Sequence, residues 1–189
     1  MILATRNPHK LAEFARLLGS QRLEPLPDAV DLGPETGESF AENALGKARV
    51  AAAATGRVAI ADDSGIAAAV LDGAPGVRSA RFAGEGASDE ENLALLIRMV
   101  PAGSSLSYVC AIAYVDPSAG LERVFEGRCE GRMAAAPRGT GGFGYDPVFV
   151  PAGEDERTMA QLDASHKDAL SHRGAAARAL EVWLASEAR

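Results

Sequence analysis

Residues 58–65 read Val-Ala-Ile-Ala-Asp-Asp-Ser-Gly, and this stretch decides how the chain is interpreted. Its four apolar residues predict a short buried strand that runs straight into Asp62 and Asp63. Neighbouring carboxylates repel each other unless a cation is bound nearby. Carboxylates without a Cys or His cage suit a hard cation, above all Mg²⁺ bridging to phosphates, and one of them can deprotonate an attacking water. We expect such a site here, with residues 66–71 as the hairpin partner of the strand.

Upstream, the pattern predicts a strand over residues 1–5 and a helix from Pro8 to about Leu18, stopped by Gly19. Residues 24–37 are rich in proline, glycine and acids and indicate strand ends and loop. Ser39 is expected to cap a long helix that ends at Gly56, because Glu42 completes a capping box. In the first helix the expected outward residues are Glu13 and Arg16, and the expected buried ones are Leu11, Phe14, Leu17 and Leu18.

Downstream, Ser88 or Asp89 is expected to cap a helix that ends near Met99. In residues 106–114 every second side chain, from Leu106 to Tyr114, falls on one face of a predicted strand, and a turn at 116–120 leads into a return strand over 121–129. A glycine-rich stretch at 139–144 precedes an expected strand at 145–150, and a last helix over 175–188 follows Ser171. The mixed order predicts an α/β fold, in which residues 104–132 form much of a second lobe.

Length and composition limit the function classes. The chain has 189 residues, 47% of them hydrophobic, and a formal net charge of −7. These values predict one domain or two closely joined lobes, and the negative charge disfavours a broad electrostatic grip on nucleic acid. No apolar run approaches a transmembrane span, and the N-terminus lacks a signal-peptide pattern. Cys110 and Cys129 have neither metal spacing nor a disulfide framework, so we expect a cytoplasmic protein that binds no membrane.

Lysine is scarce, since the chain has 3 lysines (Lys10, Lys47 and Lys167) beside 16 arginines. A lysine ammonium is a compact charge that suits phosphate. The pattern Thr5-x-Asn7-x-x-Lys10 opens a predicted helix, whose N-terminus favours anions. It is not a Walker loop. Asn43 and Lys47 lie four residues apart and share a helix face, for which a solvated edge is the plain interpretation.

Two further segments are candidate binding elements. Phe143 and Tyr145 flank Gly144 after a glycine-rich loop, and such rings can stack on a flat base while Asp146 accepts protons from its edge. His172 and Arg173 open the last helix, where cations oppose the helix dipole, and local rules are often broken at a site. A Ser–His–acid hydrolase is disfavoured because the chain lacks Gly-x-Ser-x-Gly.

Together the segments resemble the inosine triphosphate pyrophosphatase family, whose bacterial members are XTP/dITP diphosphatases. The resemblance covers nearly the whole chain. It implies an elongated α/β fold, a mixed sheet flanked by helices with a cleft between two lobes, a homodimer, Mg²⁺, and hydrolysis of ITP, dITP or XTP to the monophosphate and pyrophosphate. The matching motifs, in chain order, are Thr5-Arg-Asn-Pro-His-Lys10, Glu35-Thr-Gly, Glu42-Asn43-Ala, Ala61-Asp-Asp-Ser-Gly65, Pro75-Gly-Val-Arg-Ser-Ala-Arg81, Gly141-Gly-Phe-Gly-Tyr-Asp-Pro147 and Ser171-His-Arg173.

The resemblance also implies roles for single residues. Glu35 and Asp63 would bind Mg²⁺, Asp63 would be the catalytic base, and Asp62, Asn43 and Lys47 would support them. Two positions depart from the family: Arg6 stands where Gly is usual, and Gln161 where Glu is common. The implied substrate-binding residues are Thr5, Arg6, Asn7, Pro8, His9, Lys10, Ser64, Phe143, Gly144, Tyr145, Asp146, Lys167, His172 and Arg173.

Two alternatives stay open from the sequence. One is a Maf-like pyrophosphatase of modified pyrimidine nucleotides, although its Ser-x-Ser-x-x-Arg start is replaced here by Thr5-Arg6-Asn7. The other is a non-catalytic nucleotide- or RNA-binding module, which the negative charge and the set of carboxylates disfavour. Nucleotide binding without Mg²⁺-dependent turnover would favour the binding module, and a panel of nucleotide substrates tests the leading hypothesis.

Overall fold

The computed structural model describes residues 1–187 and shows a mixed α/β fold, as the sequence predicts. Its six strands form one sheet in the order β2-β1-β3-β4-β5-β6. β1 pairs in parallel with β2 and β3, and β5 pairs antiparallel with β6, so the sheet is mixed. The strands are β1 (Ile2–Leu3), β2 (Glu24–Pro25), β3 (Ala59–Ala68), β4 (Ser105–Asp116), β5 (Leu121–Met133) and β6 (Phe149–Pro151).

The helices follow local signals in the sequence. Ser39 and Ser88 each form a complete capping box, and Gly56 ends its helix in the left-handed conformation with φ 65°. The seven-residue α4, capped by Asp163, is a helix that the sequence pattern did not predict. The predicted end of the last helix at Ala188 lies outside the described residues. The helices are α1 (Pro8–Leu17), α2 (Phe40–Thr55), α3 (Asp89–Met99), α4 (Ala164–Leu170) and α5 (His172–Glu187).

The chain divides into two compact units. Among the described residues, unit 1 comprises 1–63, 110–127 and 173–187, and unit 2 comprises 64–109 and 128–172. Residues 104–132, expected to form much of a second lobe, are divided between the two units. Each unit has its own apolar core: α1, α2 and α5 pack around two clusters in unit 1, and a third cluster fills unit 2. No helix in the described part of the chain has the length and apolarity to cross a membrane.

The hairpin predicted around residues 62–65 is wrong, because β3 continues straight through them to Ala68. Gly65 serves close packing instead of a turn. A Cβ atom at this position would lie 2.3 Å from Ser79 Oγ and 2.5 Å from the Gly76 carbonyl oxygen. The 3₁₀ helix Gly76–Arg81 therefore packs directly on the backbone of β3, and the Ser79 hydroxyl accepts a hydrogen bond from the Ile66 amide at 2.9 Å.

We predict that Gly65→Ala lowers the free energy of unfolding by about 1–3 kcal/mol, because a methyl group has no room in this contact. The measurement is the denaturant midpoint. Gly46→Ala is the matched control, since a Cβ there meets nothing within 4 Å and alanine favours helix α2. Equal midpoints for Gly65→Ala and the wild type would refute the packing role of Gly65.

Candidate active site

The acids and lysines of the predicted site in unit 1 come from four separate segments. β3 carries Asp62 and Asp63, α1 carries Lys10, α2 carries Lys47, and the loop before α2 carries Glu35. We call these five residues the carboxylate–lysine cluster. Its members are paired with one another, so the structure brings together residues that lie up to 53 positions apart in the sequence.

Asp63 is held from α2. Asn43 donates its side-chain amide to Asp63 Oδ2 at 2.9 Å, and Lys47 Nζ lies 4.0 Å from Asp63 Oδ1. Lys47 also forms an ion pair with Glu35, so one ammonium group contacts both carboxylates. The Asn43 side-chain oxygen accepts a hydrogen bond from the Gly37 amide at 2.7 Å and ties the Glu35 loop to the helix. The predicted supporting positions of Asn43 and Lys47 therefore lie beside the carboxylates, and not on a solvated face.

The pKa values of the two adjacent aspartates are shifted in opposite directions. Burial raises the pKa of Asp63, the like charge of Glu35 adds to the effect, and Lys47 and Asn43 only partly offset it. Burial would also raise the pKa of Asp62, but the charges of Lys10, Arg173 and Lys47 outweigh it and hold that pKa well below its ordinary value. Carboxylates whose environments push their pKa values apart are suited to different roles. Asp63 is the one suited to accept a proton, and Asp62 is a fixed negative charge.

Asp62 belongs to a buried chain of four alternating charges. Its Oδ2 lies 3.0 Å from Lys10 Nζ and 3.0 Å from Arg173 Nη2, and Arg173 Nη1 lies 2.5 Å from Glu13 Oε2. The prediction that Glu13 faces outward is wrong, because its side chain is only 8% exposed. A buried guanidinium at the start of α5 supplies the partner that makes this burial possible. Arg173 thus contacts Asp62 and Glu13, and its contact with a substrate stays a prediction.

The start of α1 is built around Asn7. Its side-chain oxygen accepts hydrogen bonds from the amides of His9 and Lys10, and the Asn7 amide donates to Thr5 Oγ1 at 3.2 Å. Pro8 occupies the first helical turn, and Pro8 and His9 are exposed. These contacts hold the helix in the orientation in which Lys10 forms its ion pair with Asp62.

Arg6 turns toward the loop after β2. Its guanidinium donates to the carbonyl oxygens of Leu26, Pro27 and Val30 at 2.8, 2.6 and 3.1 Å. The side chain therefore binds backbone that leads toward Glu35, and its contact with phosphate stays a prediction. The second departure, Gln161, accepts the Thr158 amide at 3.0 Å in a capping box, a role that Gln fills as well as Glu.

The donor set of the carboxylate–lysine cluster fits Mg²⁺. Glu35 and Asp63 supply hard oxygen ligands, and both already contact one positive group, the ammonium of Lys47. Within residues 1–187 no group of three or more His, Cys, Asp or Glu side chains is arranged to cage a metal. Mg²⁺ commonly takes only one or two protein carboxylates and completes its shell with water and substrate phosphates. A cavity of about 340 Å³, lined in part by Glu35, Asn43 and Lys47, lies beside these groups.

The cysteines are excluded as nucleophiles. Burial and the nearby charge of Asp62 raise the pKa of the Cys110 thiol to about 12. Burial and the charge of Glu130 raise the pKa of Cys129 to about 11. A thiol must lose its proton to attack or to bind metal, so both stay inert near neutral pH.

A second group of predicted residues meets in unit 2. Asp146 is buried, and its Oδ2 accepts hydrogen bonds from Lys167 Nζ at 2.7 Å and from the Phe143 amide at 3.1 Å. Lys167 Nζ also lies 5.2 Å from the centre of the Phe143 ring. Gly142, with φ 70°, permits this approach, since a Cβ there would lie 2.0 Å from Asp146 Oδ2. With Tyr108 and His172 these residues form what we call the aromatic–lysine cluster.

Other predicted residues of unit 2 have structural contacts. The Tyr145 ring lies in the apolar core, and its hydroxyl donates to the Ser79 carbonyl at 2.7 Å, so this ring is not displayed for stacking. Gly144 donates its amide to Asp89 Oδ2 at 3.1 Å and fastens the glycine-rich loop to α3. Ser64 is half-buried within β3. Phe143, which is half-buried, remains the candidate for contact with a base.

The sequence did not indicate the role of Glu13 in the ion network of Asp62 or that of Tyr108 in the aromatic–lysine cluster. Glu13 lies three residues after Lys10 on the same helix face, a spacing that could have indicated a shared charge network. Tyr108 gives no such signal, because its place in an alternating apolar face predicts an ordinary core residue, and its polar partner lies 38 residues away.

We predict that Glu13→Gln lowers the free energy of unfolding by about 3 kcal/mol, because it leaves the buried charge of Arg173 with one carboxylate fewer. The measurement is chemical denaturation at neutral pH. Glu24→Gln is the matched control: it removes one carboxylate from an exposed ion pair with Arg57, and such pairs contribute little. Similar midpoints for the two variants would contradict the structural weight given to Glu13.

Comparison with known proteins confirms the predicted family. Residues 1–183 match the Ham1 family. A dITP/XTP pyrophosphatase of Symbiobacterium thermophilum is 50% identical over 188 residues, which cover 96% of this chain and 93% of the relative. A dITP/XTP pyrophosphatase of Frankia alni is 48% identical over 97% of this chain and 96% of the relative. A HAM1 protein from Coxiella burnetii has a TM-score of 0.85 at 41% identity, with 98% of each chain covered. The chain belongs to the Ham1 family.

Proposed function

We propose that this chain is a dITP/XTP pyrophosphatase, which hydrolyses these nucleotides, and their ribose counterpart ITP, to the monophosphate and pyrophosphate. The observation that carries the proposal is the carboxylate–lysine cluster, where Asp63 and Glu35 share Lys47 while Asp62 is neutralised separately. Relatives named dITP/XTP pyrophosphatase, 46–50% identical over nearly the whole chain, support the same reaction.

The triphosphate would be bound by the lysines and the segment 5–10. A triphosphate carries about four negative charges at neutral pH, and Lys10 and Lys47 supply two fixed positive charges within the cluster. The N-terminus of α1 adds the positive end of a helix dipole. Both ammonium groups already form ion pairs with carboxylates, so they are in place before a substrate binds and need little reorganisation.

Asp63 would act as the base. Its carboxylate takes a proton from a water molecule, the water oxygen bonds to one phosphorus of the α–β anhydride, and the bridging oxygen leaves with the other phosphate. Asn43 holds Asp63 Oδ2 and so fixes the orientation of the carboxylate. Mg²⁺ held by Glu35 and Asp63 would neutralise charge on the phosphate oxygens. Asp62, kept ionised by Lys10 and Arg173, would hold Lys10 in place.

The aromatic–lysine cluster would select the base. A 6-oxo purine presents an acceptor at position 6 and a donor at N1, whereas adenine presents the reverse. The Lys167 ammonium only donates, which suits the 6-oxo group. Asp146 receives three hydrogen bonds, and a carboxylate accepts about four, so one position is left for the N1 proton. An adenine base would face donor against donor, a mismatch that can cost up to about 10⁴-fold.

We also propose that the enzyme works as a homodimer in the cytoplasm, where the nucleotide pool lies. The two cysteines are both free thiols, which suits a reducing compartment. Light scattering of the purified chain tests the dimer.

We predict that the purified chain with Mg²⁺ releases pyrophosphate from dITP and XTP with kcat/KM at least about 100-fold higher than from dATP. The measurement is an assay that distinguishes pyrophosphate from orthophosphate, with and without a chelator. A rate on dATP comparable to that on dITP and XTP, or orthophosphate as the first product, would refute the proposed function.

We predict that Asp63→Asn lowers kcat for dITP by about 10²-fold or more, because an amide cannot take the proton from water. The fold should survive, since the new side chain keeps an oxygen that accepts from Asn43. Asp31→Asn is the matched control, an exposed acid in the same unit that accepts only the Gly33 amide. Turnover near the wild-type rate in Asp63→Asn would remove this residue from the role of base.

A further inference from the structure

Tyr108 touches two residues of the proposed base-binding cluster with two different parts of its side chain. It lies on β4, is 6% exposed, and gave no functional signal in the sequence. We propose that Tyr108 is a positioning residue for base selection, with its hydroxyl orienting the Asp146 carboxylate and its ring orienting the His172 imidazole. This inference rests on the proposed function and adds a residue that governs its specificity.

The hydroxyl fixes the rotation of the carboxylate. Tyr108 Oη donates to Asp146 Oδ1 at 3.1 Å, while Oδ2 accepts Lys167 Nζ and the Phe143 amide. Because hydrogen-bond donors contact both oxygens, the carboxylate has one favourable orientation. Since Asp146 is 4% exposed, water cannot readily replace a lost donor, and a carboxylate without the hydroxyl is free to turn toward Lys167.

The ring fixes the plane of the imidazole. Tyr108 and His172 are stacked at 4.5 Å with an angle of 6° between their planes. The Phe149 ring also packs against Tyr108, with 4.6 Å between the ring centres and an angle of 50° between the planes. Tyr108 is therefore held by a core aromatic residue and transmits that orientation to His172.

These contacts bear on selection more than on the chemical step. Asp146 provides the acceptor and Lys167 the donor that would read a 6-oxo purine, and Tyr108 donates directly to the first of these groups. Rotation of Asp146 would displace both hydrogen-bonding groups that the proposed selection uses. Binding of dITP should weaken, whereas dATP, which gains nothing from the correct orientation, should be unaffected.

The test is Tyr108→Phe, which removes the hydroxyl and keeps the ring. We expect kcat/KM for dITP to fall about tenfold, mainly through KM, while kcat/KM for dATP stays within about twofold. Tyr114→Phe is the matched control, because Tyr114 lies on the same strand, is similarly buried, and packs edge-on against Trp183. If Tyr108 had only a packing role, Tyr108→Phe would leave kcat/KM for dITP as little changed as Tyr114→Phe does.

The outcomes are distinguishable. If the wild type prefers dITP and Tyr108→Phe keeps the full dITP-to-dATP ratio, the inference on Tyr108 is overturned and the proposed function stands. If the wild type itself shows no preference, the proposed function fails, and the selection role of Tyr108 fails with it.

The ring contact has its own readout. The chain has only 3 histidines, so the imidazole protons are resolved by NMR, with His172 assigned by its loss in His172→Asn. The His172 signal should keep its ring-current shift in Tyr108→Phe and lose it in Tyr108→Leu. An unchanged His172 signal in Tyr108→Leu would refute the stacking role, and if Tyr108→Leu does not fold, the specificity ratio of Tyr108→Phe still decides the proposal.

Discussion

The ion network around Asp62 is the constraint on which the rest of unit 1 depends. A carboxylate in the middle of a buried strand is costly unless cations reach it, and here they come from α1 and α5. Arg173 in turn needs Glu13, and Glu13 lies on the same helix as Lys10. The network therefore fixes the position of both helices against β3. Because Asp63 is the next residue on that strand, its place is set by the same contacts.

The alternation of side chains along a strand then explains the division of work between the two aspartates. Successive residues point to opposite faces, so Asp62 meets Lys10 and Arg173 while Asp63 meets Asn43 and Lys47 from α2. One face is saturated with positive charge, and the other places Asp63 near a second carboxylate, Glu35. Two chemically identical neighbours thus acquire opposite pKa shifts, because the pleat of the strand places them among different charged partners.

The sequence predicted what depends on near neighbours and missed what depends on distant ones. The capping box at Ser39 spans three residues and is confirmed, and of the two expected caps, Ser88 and Asp89, the structure shows Ser88. The segment Asp62–Asp63–Ser64–Gly65 was interpreted as a turn, because the cations that allow it to continue as a strand lie at positions 10, 47 and 173. Glu13 was placed outward for the same reason, since its partner is 160 residues away. The family resemblance supplied the candidate site residues, but neither Glu13 nor Tyr108.

The two clusters share one chemical feature, a buried lysine paired with an acid. All three lysines pair with acids, namely Lys10 with Asp62, Lys47 with Glu35 and Lys167 with Asp146, and none of their side chains is more than 14% exposed. Surface ion pairs use arginine instead, as in the contacts of Arg49 with Glu122 and of Arg57 with Glu24. An ammonium donates in any of three directions from one point, so it can hold a carboxylate and turn part of its charge to a ligand. A guanidinium bound in a fork, as Arg173 is, gives up that freedom and serves to fix structure.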